Sequence, residues 1–139
     1  MSNSSGSIVP LIGRILISLI FIVAGVQKIF AFSAMQGYVG AAHLPFPSLA
    51  LAIAVAIELL GGVAILIGLW TRFTAWVVFL YLIPTTLLFH LVPALHGMDR
   101  MGNTMNVEKN LAIMGGLLIL AAHGAGRASV DSARAPSAP

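Results

Sequence analysis

Four apolar runs, each close to the length that crosses a bilayer, leave this sequence few folds to choose from. A membrane-spanning helix takes about 20 mostly apolar residues. Runs of that kind lie at about Ile8–Phe30, Pro47–Trp70, Phe73–Leu91 and Val107–His123. The last is the shortest, so part of its polar flank is expected at headgroup depth. Composition agrees: 59% of the 139 residues are hydrophobic and 8% are charged, where soluble domains carry about a quarter charged. The expected fold is an all-α membrane protein, with four transmembrane helices in an antiparallel bundle. One domain spans residues 1–126. A tail at 127–139 has too little apolar content to bury and is expected to be disordered.

The connections set the topology. Thr71-Arg72 is a tight turn, so the second and third helices should be antiparallel neighbours. The first connection reads SAMQGYVGAAHLPFP and the third PALHGMDRMGNTMN. Both fall on one side, here the loop face. The termini and the Arg72 turn fall on the other, the terminal face. Short loops rich in Lys and Arg stay cytoplasmic. The terminal face holds Arg14, Arg72, Arg127 and Arg134, and the loop face Lys28, Arg100 and Lys109. That favours an inner-membrane protein with both ends inside. A secretory signal needs a basic segment ahead of its apolar core. Here the first base, Arg14, already lies within the run, so the first helix is expected to be retained. IELLGGVAILIGLWTR and NLAIMGGLLILAAHGAGR share a Gly-Gly pair, an apolar turn and an arginine, which suggests two duplicated helical hairpins.

Several chemistries are excluded. The chain has no cysteine, hence no disulfide, thiolate nucleophile or cysteine-held metal of its own. Its seven Lys and Arg are scattered singly, without a basic cluster or an aromatic stacking platform, so nucleic acid is not a partner. His43, His90 and His96 fall towards the loop face, but no HxxxH or HExxH spacing argues for a metal. His90 and His123 end different helices at different depths, which does not suit a haem.

Glu58 is the costly residue. It sits alone within ALAIAVAIELLGGVAILIGLW (Ala50 to Trp70). Ala50, Ala54, Glu58 and Gly62 recur every four residues and share one helix face. Small residues mark close helix contacts in membranes, so Glu58 should point into the bundle. Intramembrane acids of that kind are functional candidates by default. Arg14, Lys28 and Lys109 could each meet it, and the sequence does not choose among them. A purely structural ion pair or interhelical hydrogen bond competes with a role in proton or ligand handling. Asn106 could cap the fourth helix, with Glu108 in its first turn. Lys109 would then seek Glu108, Glu58 or a bound polar head. Pro84 should kink the third helix and free a carbonyl near Leu80, with Thr85 and Thr86 close by. Trp70 and Trp76 fit an interfacial belt on the terminal face.

Taken in order, Arg14, FIVAGVQKI (Phe21 to Ile29), Glu58 with Gly61-Gly62, Gly68, Arg72, His90, Lys109-Asn110, Gly115-Gly116 and GAGRASVD (Gly124 to Asp131) resemble the DoxX family over nearly the whole chain. That family comprises small four-helix membrane proteins, and its name comes from a subunit of a quinone-linked oxidase system. The resemblance implies a quinone-linked redox partner but supplies no agreed catalytic residues. Family members often carry a tryptophan soon after the helix-three histidine; HLVPALHGMD lacks it.

A quinone site needs an apolar slot and a few hydrogen-bonding groups. Glu58 and His90 are the candidates for proton exchange, and Arg14, Lys28, Lys109 and Asn110 for contact with the quinone. No covalently bound cofactor is expected. The electrons would come from other membrane subunits, and lateral self-association is open. The competing reading is a non-catalytic anchor, assembly factor or small-molecule carrier.

Overall fold

A computed structural model describes residues 5–135, with side chains from residue 8 onward. Its elements are α1 (Ser5–Phe30), α2 (Phe32–Ala41), α3 (Pro47–Ile67), α4 (Thr71–Thr86), a π-helical segment (Leu87–Leu91), α5 (Val92–Leu95), α6 (Arg100–His123) and α7 (Val130–Arg134). Four stretches are long and apolar enough to span a bilayer: Ile8–Phe30, Pro47–Ile67, Thr71–Leu95 and Arg100–His123. The antiparallel bundle of the sequence reading is therefore present. α1 packs chiefly on α3, and α4 on α6, while α3 joins α4 through a tight turn. Ile65, Val78 and Leu117 meet in the centre with no exposed surface, with Phe21 beside them. Leu16, Leu60, Phe73 and Ile119 stay exposed, as lipid-facing residues must.

Close packing of α1 on α3 depends on absent side chains. A methyl group at Gly62 would lie 3.2 Å from the backbone nitrogen of Ile22, and one at Gly25 would run into Leu59. Without interhelical water to expel, such close approach is what holds membrane helices together.

Several boundaries differ from the sequence reading. α6 begins at Arg100, not near Val107. Hydropathy marks the membrane rather than the helix, and the polar turns at 100–106 simply project beyond it. The N-cap is Asp99, whose carboxylate accepts from the Gly102 amide at 3.3 Å; Asn106 lies two turns inside. Lys109 is thus not a cation at a helix start, and its Nζ donates to Asn106 Oδ1 at 2.7 Å. The first connection contains α2, and the third span continues through the π-helical segment to Leu95. Thr85 donates to the Tyr81 carbonyl at 2.9 Å rather than to that of Leu80.

The tail is also corrected, as far as Ala135. Val130–Arg134 form a helical turn, docked because Asp131 Oδ1 and Oδ2 accept from the Trp70 and Thr71 amides at 2.7 and 2.8 Å. The Asp131 amide donates to the Gly68 carbonyl at 2.9 Å. Apolar burial was the wrong measure there, because the segment is held by polar bonds to a helix end. Residues 136–139 lie outside the described residues.

Candidate active site at mid-membrane

The candidate site starts from Glu58. It lies eleven residues into α3, about 16 Å along the axis, near the middle of a hydrocarbon core about 30 Å thick. Its residue is 5% exposed. Lys28 is near the loop-face end of α1, but helical side chains lean towards their own N-terminus, which carries its ammonium back towards the centre. Lys28 Nζ donates to Glu58 Oε1 at 2.9 Å and Oε2 at 2.8 Å. Tyr81, ten residues into the third span, donates its hydroxyl to Oε1 at 2.8 Å. The carboxylate therefore accepts three hydrogen bonds from two neighbouring helices. Of the three cations that could have met Glu58, the structure selects Lys28.

Beside this triad opens a cleft of about 480 Å³. Its walls are mostly apolar, from Met35 and Val39 of α2, Ala50, Leu51 and Ala54 of α3, and Pro84 and Leu88 beyond Tyr81. Lys28, Tyr38, Tyr81, Thr85 and His90 supply the polar wall. Glu58 is not part of that wall; it stands behind Lys28 and Tyr81. A π-helical turn widens the backbone ladder by one residue, and such turns recur at functional sites. Here the segment presents Leu88, Phe89 and His90 to the cleft. Tyr38 fastens it to α2 by donating to the Phe89 carbonyl at 3.1 Å, with the two rings 5.4 Å apart. His90 Nδ1 lies 3.3 Å from Asn103 Oδ1.

The other expected contacts lie elsewhere. Asn110 is buried and donates to Thr86 Oγ1 at 3.0 Å, tying α6 to α4 outside the cleft. Lys109 is exposed on α6. Arg14 is 1% exposed, at the terminal face. Its guanidinium donates to the Ile65 and Leu66 carbonyls at 3.5 and 3.2 Å and to the Ala128 carbonyl. A cation suits the carbonyl end of a helix, so Arg14 closes α3 and pins the tail. Gly68 makes room for it: φ there is 71°, and a methyl group would collide with the guanidinium. Among the described residues, no three of His, Asp and Glu gather as a metal site. Sequence reasoning missed Tyr81 and Tyr38, and saw Thr85 only as a partner for the carbonyl that Pro84 frees. The signal for Tyr81 was its depth: an interfacial tyrosine belongs at a span end, and this one is central.

The sequence pattern of the DoxX family matches residues 9–91, which include every residue lining the cleft and Glu58. The chain belongs to the DoxX family. Two relatives from Escherichia coli (strain K12) extend the likeness over most of the length. Inner membrane protein YphA is 36% identical over 122 residues, 87% of this chain and 86% of its own. Inner membrane protein YqjF is 38% identical over 121 residues, 87% of this chain and 88% of its own. No solved structure matches. In this DoxX protein the matched stretch ends at Leu91, and Asn103, Lys109 and Asn110 lie outside that stretch.

Proposed function

We propose that this DoxX protein is an inner-membrane subunit of a quinone-linked redox system, with both chain ends in the cytoplasm and the cleft as its quinone site. The carrying observation is an apolar cleft beside the Glu58 triad, with Lys28 and Tyr81 in its wall. Apolar walls suit a ring and an isoprenoid tail, and a few polar groups suit the ring oxygens. Bound there, a quinone would supply a lipid-soluble carrier of two electrons and two protons. Lys28 would hold a ring oxygen, and Glu58 would hold Lys28 and Tyr81 in place. His90, at the loop-face end of the cleft, would exchange protons with water at that face. A partner subunit would bring the electrons.

The test is to purify the protein in mild detergent and extract its lipids. Wild type and the remote variant Lys109→Ala should retain quinone, and Lys28→Met should lose it. If neither wild type nor any variant retains quinone, and Glu58→Gln instead sheds a larger co-purifying membrane protein, the chain is an anchor or assembly subunit.

A further inference from the structure

We infer that the head-group position beside Lys28 and Tyr81 is built for a hydroxyl rather than a carbonyl, so that it favours the reduced, phenolic form of its ligand. The inference rests on the cleft being a quinone site for its choice of ligand, and on hydrogen-bond accounting for its content. Tyr81 has a single proton, already given to Glu58 Oε1 at 2.8 Å. What its oxygen still offers the cleft is an acceptor. Lys28 has three protons, two of them directed at the Glu58 oxygens at 2.8 and 2.9 Å. What remains is one donor. Both residues line the cleft, and Glu58 does not.

At this position the wall therefore presents one donor, from Lys28, beside the Tyr81 acceptor; Thr85, the neighbouring hydroxyl, gives its proton to the Tyr81 carbonyl at 2.9 Å and adds only a second acceptor. A hydroxyl complements both, accepting from Lys28 and donating to Tyr81. A carbonyl oxygen complements only Lys28 and sets its lone pairs against those of Tyr81. Turning the Tyr81 proton towards a carbonyl would strip a buried carboxylate of one of its three hydrogen bonds, and a polar bond is costly to lose at low dielectric. Tyr81 thus reads the redox state of the ligand, and Glu58 is the positioning residue that commits its proton.

The experiment is calorimetric titration of the full chain in detergent with a decyl benzoquinone and with its hydroquinone kept reduced. The hydroquinone should bind about tenfold tighter, the worth of one well-made hydrogen bond. Tyr81→Phe should remove that difference by weakening the hydroquinone, leaving the quinone within about twofold. A second pair, para-decylphenol and its methyl ether, needs no variant. The phenol should bind about tenfold tighter although the ether is more apolar. Equal affinities within either pair, or a preference that survives in a folded Tyr81→Phe, overturn the inference. If the quinone pair fails to bind while the phenol pair still divides, hydroxyl recognition stands and the quinone reading falls. If nothing binds, both fall.

Discussion

Glu58 and Lys28 form an ion pair with side chains 6% and 26% exposed. Removing one partner leaves the other charged without compensation, which in protein interiors costs about 3–5 kcal/mol. Glu58→Gln and Lys28→Met should therefore each lower thermal stability in detergent strongly, and the double variant should recover much of the loss. Single variants as stable as wild type would show that the pair contributes nothing to folding. At this scale the sequence revealed half of the answer. The Ala50-Ala54-Glu58-Gly62 spacing turned the acid inward, because periodicity fixes direction around a helix. Choosing its partner needed the depth and reach of cations on other helices, which spacing along one helix does not contain. Tyr81 was passed over because a lone aromatic in an apolar run reads as packing until its hydroxyl has a neighbour.

Among the elements, the crossing of α1 and α3 should be the least tolerant of added volume. Gly62→Ala places a methyl group 3.2 Å from backbone that cannot rotate away. It should destabilise by about 1–3 kcal/mol, read as an earlier unfolding transition, whereas Gly115→Ala, with nothing within 4 Å, should be neutral. The Gly-Gly pairs looked equivalent in the sequence, yet Gly61 meets Val78 while Gly115 meets nothing.

The docked tail gives an element-level pH dependence. Burial pushes the Asp131 carboxyl up, but the Thr71 and Trp70 amides and the Arg134 charge outweigh it and hold it below the ordinary 3.8. A carboxyl lowered in the folded state contributes stability above its unfolded value and loses it as pH falls through the folded one. Wild type should therefore lose more stability than Asp131→Asn as pH drops below about 4, and the two melting curves should converge in stronger acid. A constant difference at all pH values would mean that the carboxylate does not anchor the tail. Composition concealed this anchor, because one aspartate on a helix end weighs nothing in a hydropathy average.

For the molecule as a whole, four antiparallel spans put both ends on one side of the membrane. The lack of cysteine makes that simple to measure. Single cysteines at Arg134 and His96 should respond oppositely to a thiol reagent that cannot cross membranes. In intact cells His96→Cys should label, and Arg134→Cys should label only after permeabilisation. The reverse pattern would invert the proposed orientation. The number of spans and their antiparallel order were legible in the sequence, since bilayer thickness dictates helix length. The cleft was not, because it arises where α2, α3 and the end of the third span converge, and no linear pattern encodes that convergence.

The π-helical segment has a consequence for how the chain tolerates change in length. It holds one residue more than an α-helical path needs, so the helix beyond it is turned by roughly 100° relative to an uninterrupted one. Deleting Leu88 would let the ladder close into ordinary α-helix, and the bilayer would accept the shorter span. The helix beyond Leu91 would keep its register, and only the widened turn that presents Leu88, Phe89 and His90 to the cleft would be lost. Insertions and deletions are normally tolerated in loops and punished in helices. In this helix a deletion would leave a well-formed span, and the damage would fall on the cleft alone.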